Sequence, residues 1–138
     1  MVVVDELALY LLGPKVERDA FSEVLRDLVA RGRAAGIVVV AATQKPAADV
    51  VPTSIRDLFG YRLALRCATK DASDTILGTG WAGEGYSASD VDASTRGVGW
   101  LLAEGTVPGR MRCFRLDDEA LGRQIATAER LRAEWTEP

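Results

Sequence analysis

Two uninterrupted apolar runs, and the amphipathic segment between them, dominate the first third of the chain. Residues 1–4 and residues 37–42 are rich in β-branched side chains, and each run is followed by polar residues. Runs of this kind are typical of strands that are buried on both faces. Between them, apolar residues recur at helical spacing over 16–29, and Gly36 is suited to end the helix. The order strand, helix, strand predicts two parallel strands, because a crossover of this length returns the chain to the same edge of the sheet.

The rest of the chain predicts shorter elements and a hairpin. In chain order we expect a short helix at 52–58, a third strand at 61–67, a helix that begins at Thr69 or Asp71 and ends near Leu77, hairpin strands at 98–102 and 111–116, and a last helix after Asp118 with Leu121, Ile125, Ala128 and Leu131 on one face. The segment 78–95 is rich in Gly, Ser, Ala and Asp, which predicts an extended surface loop. These elements predict a single α/β domain over 1–138, in which helices flank a mainly parallel sheet and an antiparallel hairpin lies at one side.

Composition narrows the class of protein. The 138 residues are 48% apolar and 27% charged, which is typical of a soluble globular domain. With two cysteines and no histidine, we expect no zinc site, no disulfide framework and neither Ser-His-Asp nor Cys-His catalysis. A reduced, cytoplasmic protein is the simplest expectation. The net charge of −3 argues against a protein that coats nucleic acid with its whole surface, and it is compatible with a local basic loop.

Polar side chains follow both apolar runs. Asp5 and Glu6 end the first run, as in ATPases with a Walker B motif, where the aspartate faces the Mg²⁺ shell and the glutamate polarises the attacking water. An ordinary strand with an acidic end explains this pair equally well. Thr43 and Gln44 end the second run, where P-loop ATPases place a side chain that senses the γ-phosphate. For this pair alone, a polar strand end before a turn at Lys45-Pro46 is the better interpretation.

Arginines are the remaining candidates for phosphate chemistry. An arginine from a neighbouring subunit can stabilise charge on a transferring phosphoryl group, and four are suitably placed: Arg31, Arg33, Arg62 and Arg66. Arg110 and Arg112 follow a glycine-rich hairpin tip and could contact a DNA backbone. Each of these arginines, considered singly, is also compatible with an ordinary solvated or salt-bridged side chain.

Taken in order, these pieces resemble the FtsK/SpoIIIE family of DNA translocases. The resemblance rests on VVVDELALYL, RGRAAGIVVVAATQKP, the DASDTIL helix and the GVGWLLAEGTVPGRMR hairpin, and it covers about residues 2–116. The succession A-A-G-I and A-T-Q-K-P is far more specific than a Walker B strand alone. The segments 80–86 and 97–102 are most similar to the branch that transfers conjugative plasmids as double-stranded DNA.

The resemblance implies a RecA-like P-loop NTPase core that uses ATP and Mg²⁺. Asp5 matches the nucleotide-associated aspartate that holds Mg²⁺ through water, and Glu6 matches the catalytic glutamate. Gln44 matches the phosphate-sensing position, with Thr43 beside it at the nucleotide. Arg62 matches the family's arginine before the third strand, so it is the favoured candidate for a finger that acts in trans, ahead of Arg33 and Arg66.

The resemblance also implies partners. Relatives assemble as hexameric rings around duplex DNA, and the hairpin occupies the place of a loop that faces the DNA channel. Arg110 and Arg112 are therefore candidate DNA contacts. Full-length relatives are often membrane-associated through segments that have no counterpart in this sequence.

Two departures from the family pattern affect the expected activity. No G-x-x-x-x-G-K-[ST] motif occurs, and Gly13-Pro14-Lys15 is not one. We therefore expect the C-terminal half of a motor, from the Walker B strand onward, that binds ATP poorly and does not hydrolyse it alone. The family's winged-helix module is also absent from the sequence. An ATPase-inactive module that docks on an intact translocase ring is the alternative, and a RecA-like motor for single-stranded transfer is a third.

Overall fold

The computed structural model describes residues 1–44, 47 and 49–136. Its strands and helices, in chain order, are β1 (Val2–Val4), α1 (Leu7–Leu11), α2 (Lys15–Gly32), β2 (Val39–Ala41), α3 (Thr53–Arg56), β3 (Arg62–Leu65), α4 (Lys70–Leu77), β4 (Val98–Leu102), β5 (Gly109–Arg112) and α5 (Asp118–Thr136). Single 3₁₀ turns occupy Arg33–Ala35 and Ala88–Asp90. The turn predicted at Lys45-Pro46 lies outside the described residues.

The first two strands form the predicted parallel pair. Val2 pairs with Val39 and Val4 pairs with Ala41, and α2 makes the crossover between the strands. The core beneath this pair is apolar and comes from α1, α2, α3 and the residues before α3: Leu7, Ala8, Leu11, Leu25, Val50, Val51 and Ile55. The helix α1 was not predicted from the sequence.

The expectation that both strands are buried on both faces is wrong. Val3 is 62% exposed and Val40 is 46% exposed, whereas Val4, Val39 and Ala41 pack against the core. Alternate residues of a strand point to opposite faces of the sheet, and the core packs against one face of this pair. Val3 and Val40 therefore lie on the open face.

The third strand belongs to a second sheet in the described part of the chain. Strand β3 pairs antiparallel with β4, and β4 pairs antiparallel with β5, so the order is β3-β4-β5. The α/β class is confirmed, and the described parallel pairing is that of β1 with β2. Strand β5 begins two residues earlier than the 111–116 predicted, because a tight turn closes at Ala103, where the Thr106 amide donates to its carbonyl at 3.1 Å.

The segment 78–95 is a packed connection, so the prediction of an extended surface loop is wrong. Ser87 and Ala88 are fully buried against α4 and β4. The Asp74 carboxylate of α4 accepts bonds from the Gly80 and Ala82 amides at 2.9 and 2.7 Å, and the Ser73 hydroxyl accepts one from the Ala88 amide at 2.9 Å. Small residues let this backbone approach the helix, and α4 side chains satisfy its buried amides.

The two helices predicted after the third strand, α4 and α5, are both present. Thr69 caps α4, and its hydroxyl accepts from the Ala72 amide at 3.1 Å. At the start of α5, the Asp117 carboxylate accepts from the Ala120 amide at 2.8 Å. The apolar stripe of α5 remains about half exposed, as Leu121 and Ile125 illustrate. None of the described helices has the length and apolarity that crossing a bilayer requires.

Candidate active site

The candidate site lies where the parallel strands end together. Beyond the last paired residues, the Ala42 amide donates to the Val4 carbonyl at 2.9 Å, and the Leu7 amide donates to the Ala42 carbonyl at 2.7 Å. This continued pairing brings the residues after β1 next to the residues after β2. Ligands of open α/β sheets bind outside the carboxyl ends of the strands, and this is the edge that carries the predicted polar residues.

Glu6 is the centre of the site. Its Oε1 atom accepts a 2.8 Å bond from the Thr43 hydroxyl and a 3.3 Å bond from the Gln44 amide. The Glu6 side chain is half-buried, so these charge-assisted bonds hold it more firmly than they would in bulk water. Both bonds use Oε1, and neither uses Oε2. The contact between Thr43 and Glu6 was not predicted, because the sequence pattern places the two residues at one edge and does not pair their side chains.

The Glu6 backbone is in an unusual conformation. Glu6 has φ 50° and ψ 60°, and it is the one non-glycine residue with positive φ in the described part of the chain. A left-handed conformation at a residue with a side chain costs about 1 kcal/mol or more. It persists here because Glu6 lies between β1 and α1, with Leu7 buried on one side and the Thr43 bond on the other. Such backbone outliers cluster at functional sites.

Asp5 provides hard oxygen atoms beside Glu6. The side chain is exposed, and its Oδ1 atom accepts from the Glu6 amide at 3.0 Å. No group of three or more His, Cys, Asp and Glu side chains that could hold a metal ion occurs in 1–44, 47 and 49–136. Mg²⁺ is commonly bound by one or two carboxylates together with waters and substrate phosphates, so a single exposed aspartate fits it as a ligand through water.

The predicted arginine finger lies away from this edge. Arg62 is in the second sheet, where its Nη1 atom lies 3.9 Å from Asp57 Oδ1 and its buried Nε atom has no hydrogen-bond partner among the described residues. The other candidates have partners of their own. Arg31 pairs with Asp27 within α2, and Arg33 pairs with Glu104 at 3.2 Å. The structure therefore brings together the Glu6 carboxylate, the Thr43 hydroxyl and the Gln44 amide, and the Asp5 carboxylate contacts the backbone amide of Glu6.

Arg66 faces a different loop. The Ser94 hydroxyl and amide donate to the Asp92 carboxylate and, with a smaller contribution from Arg66, hold the pKa of Asp92 below its usual range. The loop from Asp92 to Ser94 is exposed, and no residue of the candidate site takes part in this cluster.

A crevice of about 900 Å³ separates the two sheets. It is lined by the start of β2, the start of β3, the end of α2 and the β4–β5 turn, including Val38, Val39, Tyr61 and Arg62. Among the described residues, β2 pairs with β1 alone and β3 pairs with β4 alone, so each has an unpaired edge. Both strands begin at this crevice.

Arg110 and Arg112 lie on the edge strand β5. Both are exposed, and they pair across the sheet with Trp100 and Val98 respectively, so their side chains are on the same face. Neither makes an ion pair with a carboxylate in the described part of the chain. The hairpin thus presents two arginines to solvent.

A parallel strand–helix–strand unit with acidic and polar residues at the strand ends is the arrangement found in P-loop NTPase folds. The solved structure of the pCW3 conjugation coupling protein TcpA, in a monomer form with ATPγS, superposes with a TM-score of 0.73. The match covers 93% of this chain and 36% of that one, with 23% sequence identity. This likeness establishes the fold.

Sequence comparison establishes the family. The DNA translocase FtsK of Vibrio vulnificus is 40% identical over 84 residues, which are 59% of this chain and 8% of that protein. The DNA translocase FtsK of Staphylococcus aureus strain Mu50 is 33% identical over 113 residues, which are 75% of this chain and 14% of that protein. No protein-family profile matches the chain. The chain belongs to the FtsK-type DNA translocase family, and it spans about a tenth of the length of these relatives.

Proposed function

We propose that this chain is the carboxylate-bearing part of an ATP-driven motor that translocates double-stranded DNA. The observation that carries the proposal is the Glu6 carboxylate held by the Thr43 hydroxyl at 2.8 Å, at the carboxyl end of two parallel strands. Motors that hydrolyse ATP need a fixed carboxylate that orients the attacking water next to the γ-phosphate. Two hydrogen bonds fix Glu6 Oε1, and Oε2 is then the atom that accepts the proton of the water.

The neighbouring residues have supporting roles in this proposal. Asp5 lies beside Glu6 with an exposed carboxylate, which suits a contact with the water shell of Mg²⁺. The bound Mg²⁺ would neutralise charge on the phosphates. Gln44 follows Thr43 at the same edge, and in this proposal its side chain senses the γ-phosphate. Thr43 acts mainly through Glu6, whose orientation it restricts.

We further propose that the phosphate-binding loop comes from a segment outside these 138 residues, in the same polypeptide or in another chain. The sequence contains no G-x-x-x-x-G-K-[ST] motif, so the amides and the lysine that cradle the β- and γ-phosphates must come from elsewhere. The crevice between the unpaired edges of β2 and β3 is the place that could accept an additional strand carrying such a loop. On its own the chain would bind ATP poorly and would not hydrolyse it.

The DNA-facing part of the proposal rests on the hairpin and on the family. Arg110 and Arg112 are exposed and unpaired by carboxylates among the described residues, which suits contact with phosphates. Copies of the motor would form a ring, in which Arg62 reaches the nucleotide of a neighbour after leaving Asp57. The likeness to TcpA, a conjugation coupling protein, favours plasmid transfer, and the FtsK relatives equally suit chromosome partition.

Titration calorimetry with Mg²⁺ and a non-hydrolysable ATP analogue tests whether the ATP site is shared between this chain and a separate phosphate-binding segment. We expect no measurable binding to the chain alone. A longer protein that includes a phosphate-binding segment should bind the analogue and hydrolyse ATP, with stimulation by duplex DNA, and Glu6→Gln should abolish hydrolysis while binding persists. Tight binding to the chain alone, lost in Asp5→Ala, would show that the phosphates are held without that segment.

An ATPase-inactive docking module is the second candidate, and the same unpaired strand edges favour it. It predicts that the chain binds an intact translocase ring without adding to its ATPase activity. Co-sedimentation with the ring separates the candidates. A longer protein that stays inactive with duplex DNA, while the chain binds the ring, would replace the first proposal by this one. Stimulation by single-stranded rather than duplex DNA would instead indicate a motor for single-stranded transfer.

A further inference from the structure

One ion pair spans the crevice between the two sheets. The Arg33 guanidinium donates to Glu104 Oε2 at 3.2 Å, across 71 positions of sequence. Arg33 begins the 3₁₀ turn that follows α2 and leads to β2, and Glu104 lies in the turn that joins β4 to β5. Both residues line the crevice. The pair therefore connects the sheet that carries the candidate site to the hairpin that carries Arg110 and Arg112.

The surroundings of Glu104 fix where its carboxylate lies. A side chain on Gly60 would begin 3.2 Å from Glu104 Oε2, so the carboxylate rests directly against the backbone of the segment that enters β3. The turn itself is tight. The Thr106 amide and hydroxyl both donate to the Ala103 carbonyl, and Gly105 has φ 75°, a conformation that suits glycine. Glu104 thus sits inside a closed turn, and a constraint on its carboxylate is a constraint on the turn.

We propose that Arg33 and Glu104 form a clasp that positions the β4–β5 turn, and with it the DNA-facing arginines, relative to β2, the strand that Thr43 and Gln44 follow. The inference rests on the proposed function, which makes one end the ATP site and the other the DNA contact. Arg33 is then a positioning residue that acts within its own chain. Both side chains are exposed, so the ion pair is weak. We expect it to raise the ratio of the positioned to the displaced conformation of the turn by up to about fivefold, and folding does not depend on it.

Hydrogen exchange of the chain tests the clasp directly. Glu104→Gln removes the charge and keeps the shape of the side chain, and we expect the amides of residues 105–107 to exchange roughly two- to fivefold faster. The double variant Arg33→Glu/Glu104→Arg should restore slow exchange. Arg31→Ala is the matched control, because it breaks an ion pair at the end of α2 whose partner, Asp27, lies on the same helix. Unchanged exchange in Glu104→Gln, or no rescue by the double variant, would overturn the clasp.

The affinity for a fluorescein-labelled DNA duplex gives a second test, which is decided by whether Glu104→Gln raises or lowers that affinity. Removing a negative charge near Arg110 and Arg112 should tighten binding if charge alone matters. The clasp predicts the opposite: Glu104→Gln weakens binding by roughly two- to fivefold, because the arginines are held less often in place. Tighter binding in fluorescence anisotropy would refute a positioning role.

A further variant separates this inference from the proposed function. If Arg110→Ala/Arg112→Ala binds the duplex as tightly as the wild type, the hairpin is not the DNA contact and that part of the proposed function fails. If this double variant weakens binding while Glu104→Gln does not, the clasp alone fails. When the isolated chain binds the duplex too weakly to measure, the exchange experiment decides.

Discussion

The Thr43 hydroxyl donates a 2.8 Å hydrogen bond to the Glu6 carboxylate and so ties together the ends of two parallel strands. Glu6 also adopts the left-handed backbone conformation at this point, so its orientation depends on both the bond and the chain path. A threonine beside the glutamine that we propose as the phosphate sensor is easily interpreted as a nucleotide contact. In the structure, however, the Thr43 hydroxyl bonds to the carboxylate that we propose as catalytic.

Thr43→Ala should therefore impair turnover rather than nucleotide binding. In a protein complemented with a phosphate-binding segment, we expect kcat to fall by roughly ten- to hundredfold, which corresponds to the loss of one hydrogen bond to a charged group. The dissociation constant of the ATP analogue should change less than about twofold. Thr43→Ser keeps the hydroxyl and should stay close to wild-type turnover. An equal loss in both variants would mean that the methyl group, and not the bond to Glu6, is what matters.

Gly99→Ala should destabilise the second sheet. A Cβ atom at Gly99 would begin 2.5 Å from the Ala64 carbonyl oxygen of β3, and backbone atoms cannot move aside as a flexible side chain can. We expect the free energy of unfolding to fall by roughly 2 kcal/mol or more in urea titrations. Gly109→Ala is the matched control on β5, because no atom lies within 4 Å of its added carbon. Equal stability of the two variants would show that β3 and β4 are farther apart than described.

The Asp92 carboxyl should titrate below the usual range for aspartate. The Ser94 amide and hydroxyl donate to its Oδ1 atom at 2.7 and 2.6 Å and favour the charged form, so they lower its pKa. A lowered pKa contributes stability at pH values above the unfolded pKa, and this contribution is lost as the pH falls through the folded value. NMR titration of Ser94→Ala should show the pKa rising. Ser22→Ala, which removes a hydroxyl bonded to the Arg18 carbonyl, should leave it unchanged.

The two cysteines should differ in reactivity. Burial raises the pKa of the Cys67 thiol, whereas Cys113 is exposed on the segment after β5. Alkylation requires the thiolate, so iodoacetamide near pH 8 should modify Cys113 well before Cys67. Peptide mass spectrometry over time measures both rates in one sample, and Cys113→Ser isolates the slow site. Faster modification of Cys67 would place it in a more open environment than the one described.

The sequence predicted correctly those elements that depend on interactions between residues close together in the chain. The helical spacing over 16–29 is found in α2, and Thr69 caps α4 as its residue type suggested. The polar residues after the two apolar runs do meet at one edge, because parallel strands end on the same side. The family resemblance came from the same ordered motifs and is confirmed by the FtsK relatives.

What the sequence did not predict depends on contacts between distant residues. An apolar run does not show that Val3 and Val40 lie on an open face, because the run is equally compatible with one covered face or two. The composition of 78–95 suggested a loop in solvent, yet the Asp74 carboxylate and the Ser73 hydroxyl draw that segment into the core. Likewise, the alternation of polar and apolar residues over 61–67 predicted a strand but did not identify its partner. The partner, β4, lies more than thirty positions later in the sequence.

The crevice between the sheets also bears on how the chain behaves in solution. Unpaired strand edges invite pairing with other molecules and are a common cause of aggregation. Here β2 and β3 begin at one shared crevice, and the Arg33–Glu104 pair lies across it. A second sheet would have to displace charged side chains before reaching either edge, whereas a single extended segment could enter more easily. At these two edges the arrangement thus favours pairing with a single extended segment over pairing with a second sheet.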